Sequence, residues 1–184
     1  MTSDWLTVLG GDAREVLATS QGVLALREPS IWIVVPKFNS TAAHLADRHY
    51  SRRKVGSPQF MPPGQTLVLL TPDGRAVFGW WRPDPSSGIR AMNGLDGWTC
   101  TIFRNEAPDL YLSSDLILEA EEMLLDRYDC GPDGLITYIE DRKVRSPNPG
   151  FCFKKAGWKV TGRSADDKKT LLQKALGPLG LEMA

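Results

Sequence analysis

The chain is short of several things, and each shortage removes a class of explanation. It has no net charge: 22 Lys and Arg stand against 22 Asp and Glu in 184 residues. Bulk charge therefore gives no reason to expect strong affinity for nucleic acid, and only a local basic patch can supply it. No apolar run approaches the ~20 residues needed to cross a bilayer. The N-terminus shows no basic-then-apolar signal pattern, so the expected location is cytoplasmic, with no membrane partner. There are only three cysteines, Cys100, Cys130 and Cys152, and they show no C-x-x-C spacing. That usage fits buried thiols in a reducing compartment better than a disulfide set or a zinc site. The two histidines, His44 and His49, form no ligand pattern, so no residue is assigned to a metal and metal dependence stays open.

What is present is an ordinary globular composition, 42% apolar and 24% charged, long enough for one well-cored domain. No repeat or internal boundary divides it. Residues 1–29 read as an N-terminal extension and 163–184 as a C-terminal helix and tail. Weak alternation over 4–9 suggests a strand, and Asp12 is placed to cap a short helix through Leu17. The β-branched and aromatic run at 30–35, closed by Pro36, predicts a strand. Ser40 then caps a helix over 41–50. Three prolines and two glycines make 55–64 an irregular loop.

Residues 65–71 and 76–81 are apolar, with Pro72-Asp73-Gly74-Arg75 as a hairpin turn. A loop at 83–97 leads to a strand at 98–104. Ser113-Ser114-Asp115 opens the strongest helix, with Leu116, Ile117, Ala120, Met123 and Leu124 at 3–4 spacing. A strand follows at 135–140. A short helix begins at Asn148-Pro149, asparagine at the cap and proline at the first helical position. A strand closes at 158–161, and 166–176 reads as a C-terminal helix. A hairpin followed by β-α-β-α-β implies an α/β (α+β) mixed sheet, antiparallel early and parallel in the middle.

The densest chemistry is His49-Tyr50-Ser51-Arg52-Arg53, at the end of the first helix: an imidazole, a phenol and a hydroxyl beside two guanidiniums. Arg48, Arg52, Arg53 and Lys54 make a local basic run. Arg142, Lys143 and Arg145, with Lys154 and Lys155, make a second group that can hold phosphates. Trp80 and Trp81 occupy adjacent strand positions, so their rings take opposite sheet faces and one of them is free to stack on a base.

The element order resembles the GNAT acyltransferase fold, and Asn148-Pro149-Gly150-Phe151-Cys152-Phe153-Lys154-Lys155-Ala156-Gly157-Trp158 is similar to its late helix and turn. A closer resemblance spans 46–162. It rests on His49-Tyr50-Ser51-Arg52, Phe103-Arg104-Asn105-Glu106, Ser113-Ser114 and Arg145-Ser146-x-Asn148-Pro149-Gly150. These look like the Mom-like DNA modification proteins of phages and actinobacteria, a divergent GNAT branch. The resemblance implies a transferase that adds a small acyl-derived group to adenine N6 in phage DNA, protecting it from restriction. Its setting would be the host cell cytoplasm. The partner is then DNA with the adenine flipped out, and a homodimer is compatible with this. The donor implied is acetyl-CoA or a related acyl donor.

Adenine's amine is conjugated into the ring and must lose a proton as the new bond forms, which makes His49 the expected base. Tyr50 and Ser51 place the adenine, and Asp141, just past the fifth strand, assists. Glu106, past the fourth strand, is a second carboxylate able to orient His49. Arg104, Asn105, Ser113, Ser114, Asn148 and Phe153 are the expected donor-binding residues; Arg52, Arg53, Lys54, Lys143 and Arg145 are the expected DNA contacts.

Two departures from the GNAT pattern stand out. Residues 104–114 contain no glycine-rich pyrophosphate loop, and Phe151 and Phe153 stand where many GNAT enzymes carry a tyrosine. An ordinary N-acetyltransferase on a protein or small amine, and a non-catalytic DNA-binding protein of this fold, are the competing expectations.

Overall fold

A computed structural model describes residues 16–18, 24–26, 30–144 and 146–176. The chain divides into two compact units, residues 1–31 and 32–184. In the first, β1 (Val16–Ala18) and β2 (Leu24–Leu26) pair antiparallel. The strand expected at 4–9 lies outside the described residues. So do 12–15 of the helix expected at 12–17, and its last two residues, Val16 and Leu17, are strand.

The second unit begins with β3 (Ile33–Val35) and α1 (Ser40–Asp47). The cap of α1 is Asn39, whose side chain accepts the Ala42 N–H, and not Ser40. The helix also stops at Asp47, short of the expected Tyr50. Then come β4 (Gln65–Leu70) and β5 (Ala76–Arg82). The buried Thr71 hydroxyl accepts N–H groups of Arg75 and Ala76 in the turn that joins them. Next are β6 (Trp98–Asn105), α2 (Ser113–Leu125), β7 (Leu135–Ile139), α3 (Phe151–Lys155), β8 (Lys159–Arg163) and β9 (Thr170–Lys174).

Among the described residues seven strands form one sheet, in the order β3-β4-β5-β6-β7-β9-β8. Every neighbouring pair is antiparallel except β6 and β7, which run parallel. This is the GNAT-like mixed sheet expected: an antiparallel meander, then a parallel middle pair.

The last strand replaces an expected helix. Leu171 and Leu172 are both buried, and a strand between two partners buries both of its faces, which a helical pattern does not distinguish. Lys174 ends β9 inside the protein. Its ammonium donates to the Glu121 carboxylate at 2.8 Å and to the Ala156 carbonyl at 3.0 Å, and Trp158 Nε1 donates to the other Glu121 oxygen at 2.6 Å. A buried charge persists only when paired and hydrogen-bonded in this way.

Helix α2 buries the face that the 3–4 spacing predicts, with Leu116, Ile117, Ala120 and Leu124 fully enclosed. Two indoles tie it to the sheet: Trp32 Nε1 donates to Leu116 O and Trp80 Nε1 to Ala120 O, each at 2.9 Å. On the opposite face, Leu45 and Ala46 of α1 pack with Met61, Val68, Trp81 and Ile102. Met61 brings the 55–64 loop onto the sheet over Gly79, where a Cβ would lie 2.7 Å from its sulfur. Trp80 and Trp81 do take opposite faces, but both are buried and both indoles are committed, Trp81 to Pro63 O at 2.8 Å. Neither is free to stack on a base.

Candidate functional site

The parallel pair β6–β7 is short. Its ladder covers Trp98↔Leu135, Thr99↔Ile136 and Cys100↔Thr137 and ends there. Thr137 Oγ1 donates to Cys100 O at 3.2 Å at the last rung. On the other side, the register of β6 with β5 jumps from Cys100 to Ile102 across Trp80 and Gly79, so Thr101 is an extra residue. Such a bulge bends its strand. Beyond it β6 keeps only β5, and Tyr138 and Ile139 keep only β9.

The opening between the parted strands is a cavity of about 250 Å³. Phe153, packed against Phe78, Phe103 and Trp158, closes part of its wall. Gly150 brings the start of α3 against β7: its φ is +75°, and a Cβ there would clash with Ile139 Cδ1.

His49 and Tyr50 line this cavity, with Ser113 from the start of α2. The chain turns just after α1: His49 N–H donates to Ala46 O, and Arg52 N–H to His49 O, both at 3.0 Å. A charged latch fixes that turn to the end of β6. Arg48 grips both Glu106 oxygens at 2.7 Å, Arg104 Nε donates to the same carboxylate at 2.5 Å, and Arg104 also donates to Arg48 O at 2.7 Å. Those bonds, Arg48 first, hold the Glu106 carboxyl down to about 2. Glu106 therefore does not orient His49 directly; it anchors the segment that carries it.

The His49 ring lies 4.2 Å from the Tyr50 ring, and its Nδ1 is 2.8 Å from Ser51 Oγ. Burial, with the nearby positive charge of Arg104, lowers the imidazole to about 4. Burial raises the Tyr50 phenol to about 12, partly offset by a backbone hydrogen bond at Glu140. The Cys100 and Cys152 thiols, also in the lining, are likewise raised by burial. At neutral pH the cavity thus presents a neutral imidazole, a phenol and thiols. None of its described lining residues is a carboxylate.

Two further hollows share its walls. One, of about 560 Å³, is bounded by Ser51, Arg53, Lys54 and Phe60 and shares Thr101 and Ile102. The other, of about 590 Å³, lies along Leu112, Ser114, Asn148, Phe151 and Lys155 and shares Ser113, Gly150 and Cys152.

The other expected site residues scatter. Asp141 accepts from Thr170 Oγ1 at 2.8 Å and pairs with Arg163 at 3.1 Å, so it secures the ends of β8 and β9 and does not meet His49. Asn105 spends its amide on Tyr111 O, Ser113 Oγ and the Ala107 N–H, holding the 106–112 turn. Ser113 is not the α2 cap: that is Leu112, without a side-chain cap bond among the described residues. Ser114 Oγ lies 3.3 Å from Asp115.

Asn148 does not cap α3, which starts after Gly150; it accepts from Lys154 Nζ at 2.6 Å. Arg52 turns inward with its side chain only 8% exposed, bound to Asp47, Gln59 O and Ser57 O. That is a scaffold role for its guanidinium, unlike the expected DNA contact. Arg53 and Lys54 are exposed, Lys143 pairs with Glu140 at 3.2 Å, and Arg145 lies outside the described residues.

Sequence reasoning missed Cys100, Thr101, Thr137 and Cys152, because only the strand bulge makes them a wall. Comparison with protein-family models, curated proteins and solved structures finds no match. No helix among the described residues is long and apolar enough to cross a membrane.

Proposed function

We propose that the chain is a Mom-like, GNAT-like transferase that places a small acyl-derived group on adenine N6 of DNA. One observation carries this reading. The cavity between the parted strands holds the His49-Tyr50 pair and adjoins two larger hollows of different character. A group-transfer enzyme needs two substrates to meet at one point in line for attack.

The hollow beside Arg53 and Lys54 suits the nucleic acid partner. Its cations can hold phosphates, and a base turned out of the stack is read in a pocket lined by aromatic and apolar groups such as Phe60 and Pro62. At about 560 Å³ it falls within the ~300–1,000 Å³ of small-molecule sites.

The groove along Leu112 and Phe151 suits the donor. The residues fit an elongated, mostly apolar acyl carrier with an anion near Ser113, Ser114 and Lys155. They do not fit an ordinary pyrophosphate cradle. The turn at 106–112 has no glycine, and its buried Ala107 and the Asn105 amide fill the place of a backbone clamp. The donor supplies the activated acyl carbon; these residues seat it and exclude water. Tyr50 positions the adenine, and Ser51 acts through its bond to His49.

Mass spectrometry of nucleosides from plasmid DNA of expressing cells tests the reading. A new adenosine derivative, absent with an empty vector, is expected. DNA with only unmodified adenine, despite abundant folded protein, would overturn it. Acetylation of a protein or small amine under the same conditions would transfer the site to the ordinary N-acetyltransferase reading.

A further inference from the structure

A base is the expected role of His49, but its hydrogen bonds favour another. Two groups of Ser51 converge on Nδ1: the backbone N–H at 3.3 Å and Oγ at 2.8 Å. An N–H donates only to a nitrogen that carries no proton, so Nδ1 is the acceptor and the ring proton sits on Nε2. Nε2 takes no partner among the described residues, and no buried side-chain nitrogen there lacks one. It is therefore not enclosed by protein, and the residue that carries it lines the cavity.

The cavity's other polar groups are mostly committed. Thr137 donates to Cys100 O, and the Asn105 amide holds the 106–112 turn. Arg104, the cation facing His49, disfavours a second proton on the ring. The Nε2–H of His49 is then a fixed, neutral donor available to a substrate, beside the Tyr50 phenol and the Ser113 hydroxyl.

We propose that His49 serves in the transfer as a neutral hydrogen-bond donor to the carbonyl oxygen of the acyl group, with Ser51 as the positioning residue that keeps its tautomer. This rests on the transferase reading above, with a thioester as the acyl donor of that reading. The amine nitrogen's lone pair forms the N–C bond while the carbonyl π pair moves onto oxygen, held by Nε2–H. That pair returns as the C–S bond breaks, and the proton lost by nitrogen ends on the departing sulfur. His49 neither gains nor loses a proton. A donor aimed where charge develops stabilises the transition state far more than it would in water.

The test pairs a spectroscopic readout with three variants. Long-range proton–nitrogen correlation NMR on the full chain at pH 7 reports which ring nitrogen of His49 carries hydrogen; Nε2–H is expected, and it is expected to persist in Ser51→Ala, which keeps the backbone N–H that donates to Nδ1. In cells, the initial rate of new-nucleoside formation falls roughly 100-fold in His49→Ala. His49→Gln keeps an amide N–H near the Nε2 position and no base, and stays within about tenfold of the wild type on the same scale. An Nδ1–H or doubly protonated ring at pH 7, or a His49→Gln variant as slow as His49→Ala with both variants folded by circular dichroism, would overturn the assignment. The tautomer is read on the free protein. DNA without a new nucleoside would instead sink the transferase reading, and the catalytic half of this proposal with it.

Discussion

The two halves of β6 behave as different kinds of strand. Thr99 and Cys100 have partners on both sides, in β5 and β7, and both are buried. Residues 102–105 keep only β5, the bulged Thr101 has no ladder partner, and the place of the second neighbour is a cavity. The closed half is held from below by a buried ion pair, and the open half from outside by a surface latch of two arginines on one carboxylate. A sheet can thus be opened at a chosen rung without losing its order, provided that each half has its own fastening. The bulge at Thr101 marks the rung.

The largest effect expected lies under the closed half. Lys174→Met removes the ammonium from the buried Glu121 carboxylate and should cost about 3–5 kcal/mol in urea unfolding. A loss under 1 kcal/mol would mean that the ion pair is not what supports β9. Next comes acid. The unfolded chain binds a proton at His49 below about 6.5, whereas the folded chain resists until about 4.

Stability should therefore be level above pH 6.5 and fall between 6.5 and 4, by at most about 3 kcal/mol. A second fall, as Glu106 protonates, is expected between 4.5 and about 2. In His49→Gln the first fall should vanish and the second remain. A first fall that survives the substitution would show that the imidazole is not held neutral at the opening.

Much of the closed half was legible in the sequence. The β4–β5 hairpin, β6, α2 and β7 follow from β-branched runs, a Pro-Asp-Gly turn and 3–4 spacing. What was not legible depends on partners far along the chain. β9 reads as a helix because two adjacent leucines fit either period, and only its seat between β7 and β8 decides. The Arg52 guanidinium reads as a phosphate contact because nothing in His49-Tyr50-Ser51-Arg52 shows that Asp47 and the carbonyls of Ser57 and Gln59 will enclose it. Asp141 was placed correctly at a strand end, yet its partners come from residues 163 and 170. The grouping of His49, Tyr50 and Ser113 around one opening was legible in outline, since a helix end and a strand end meet there in this element order.

Smaller effects separate the arginines that look alike. Arg52→Ala should cost about 2 kcal/mol, from a buried charge-assisted network, with little change in the salt dependence of DNA binding. Arg53→Ala with Lys54→Ala should leave stability within about 0.5 kcal/mol. That pair should instead lower the slope of log affinity against log salt by about 2. Equal behaviour of the two sets would remove the distinction between scaffold and DNA-facing cations.

Hydrogen exchange along β6 addresses the central claim most directly, because both halves are read in one protein. With adenine-containing DNA and a short acyl thioester added, amides of residues 101–105 and 138–140 should exchange more slowly, while those of 99 and 100, already paired on both sides, should not change. Protection confined to other surfaces, with residues 101–105 unaltered, would contradict the placement of the substrates between the parted strands.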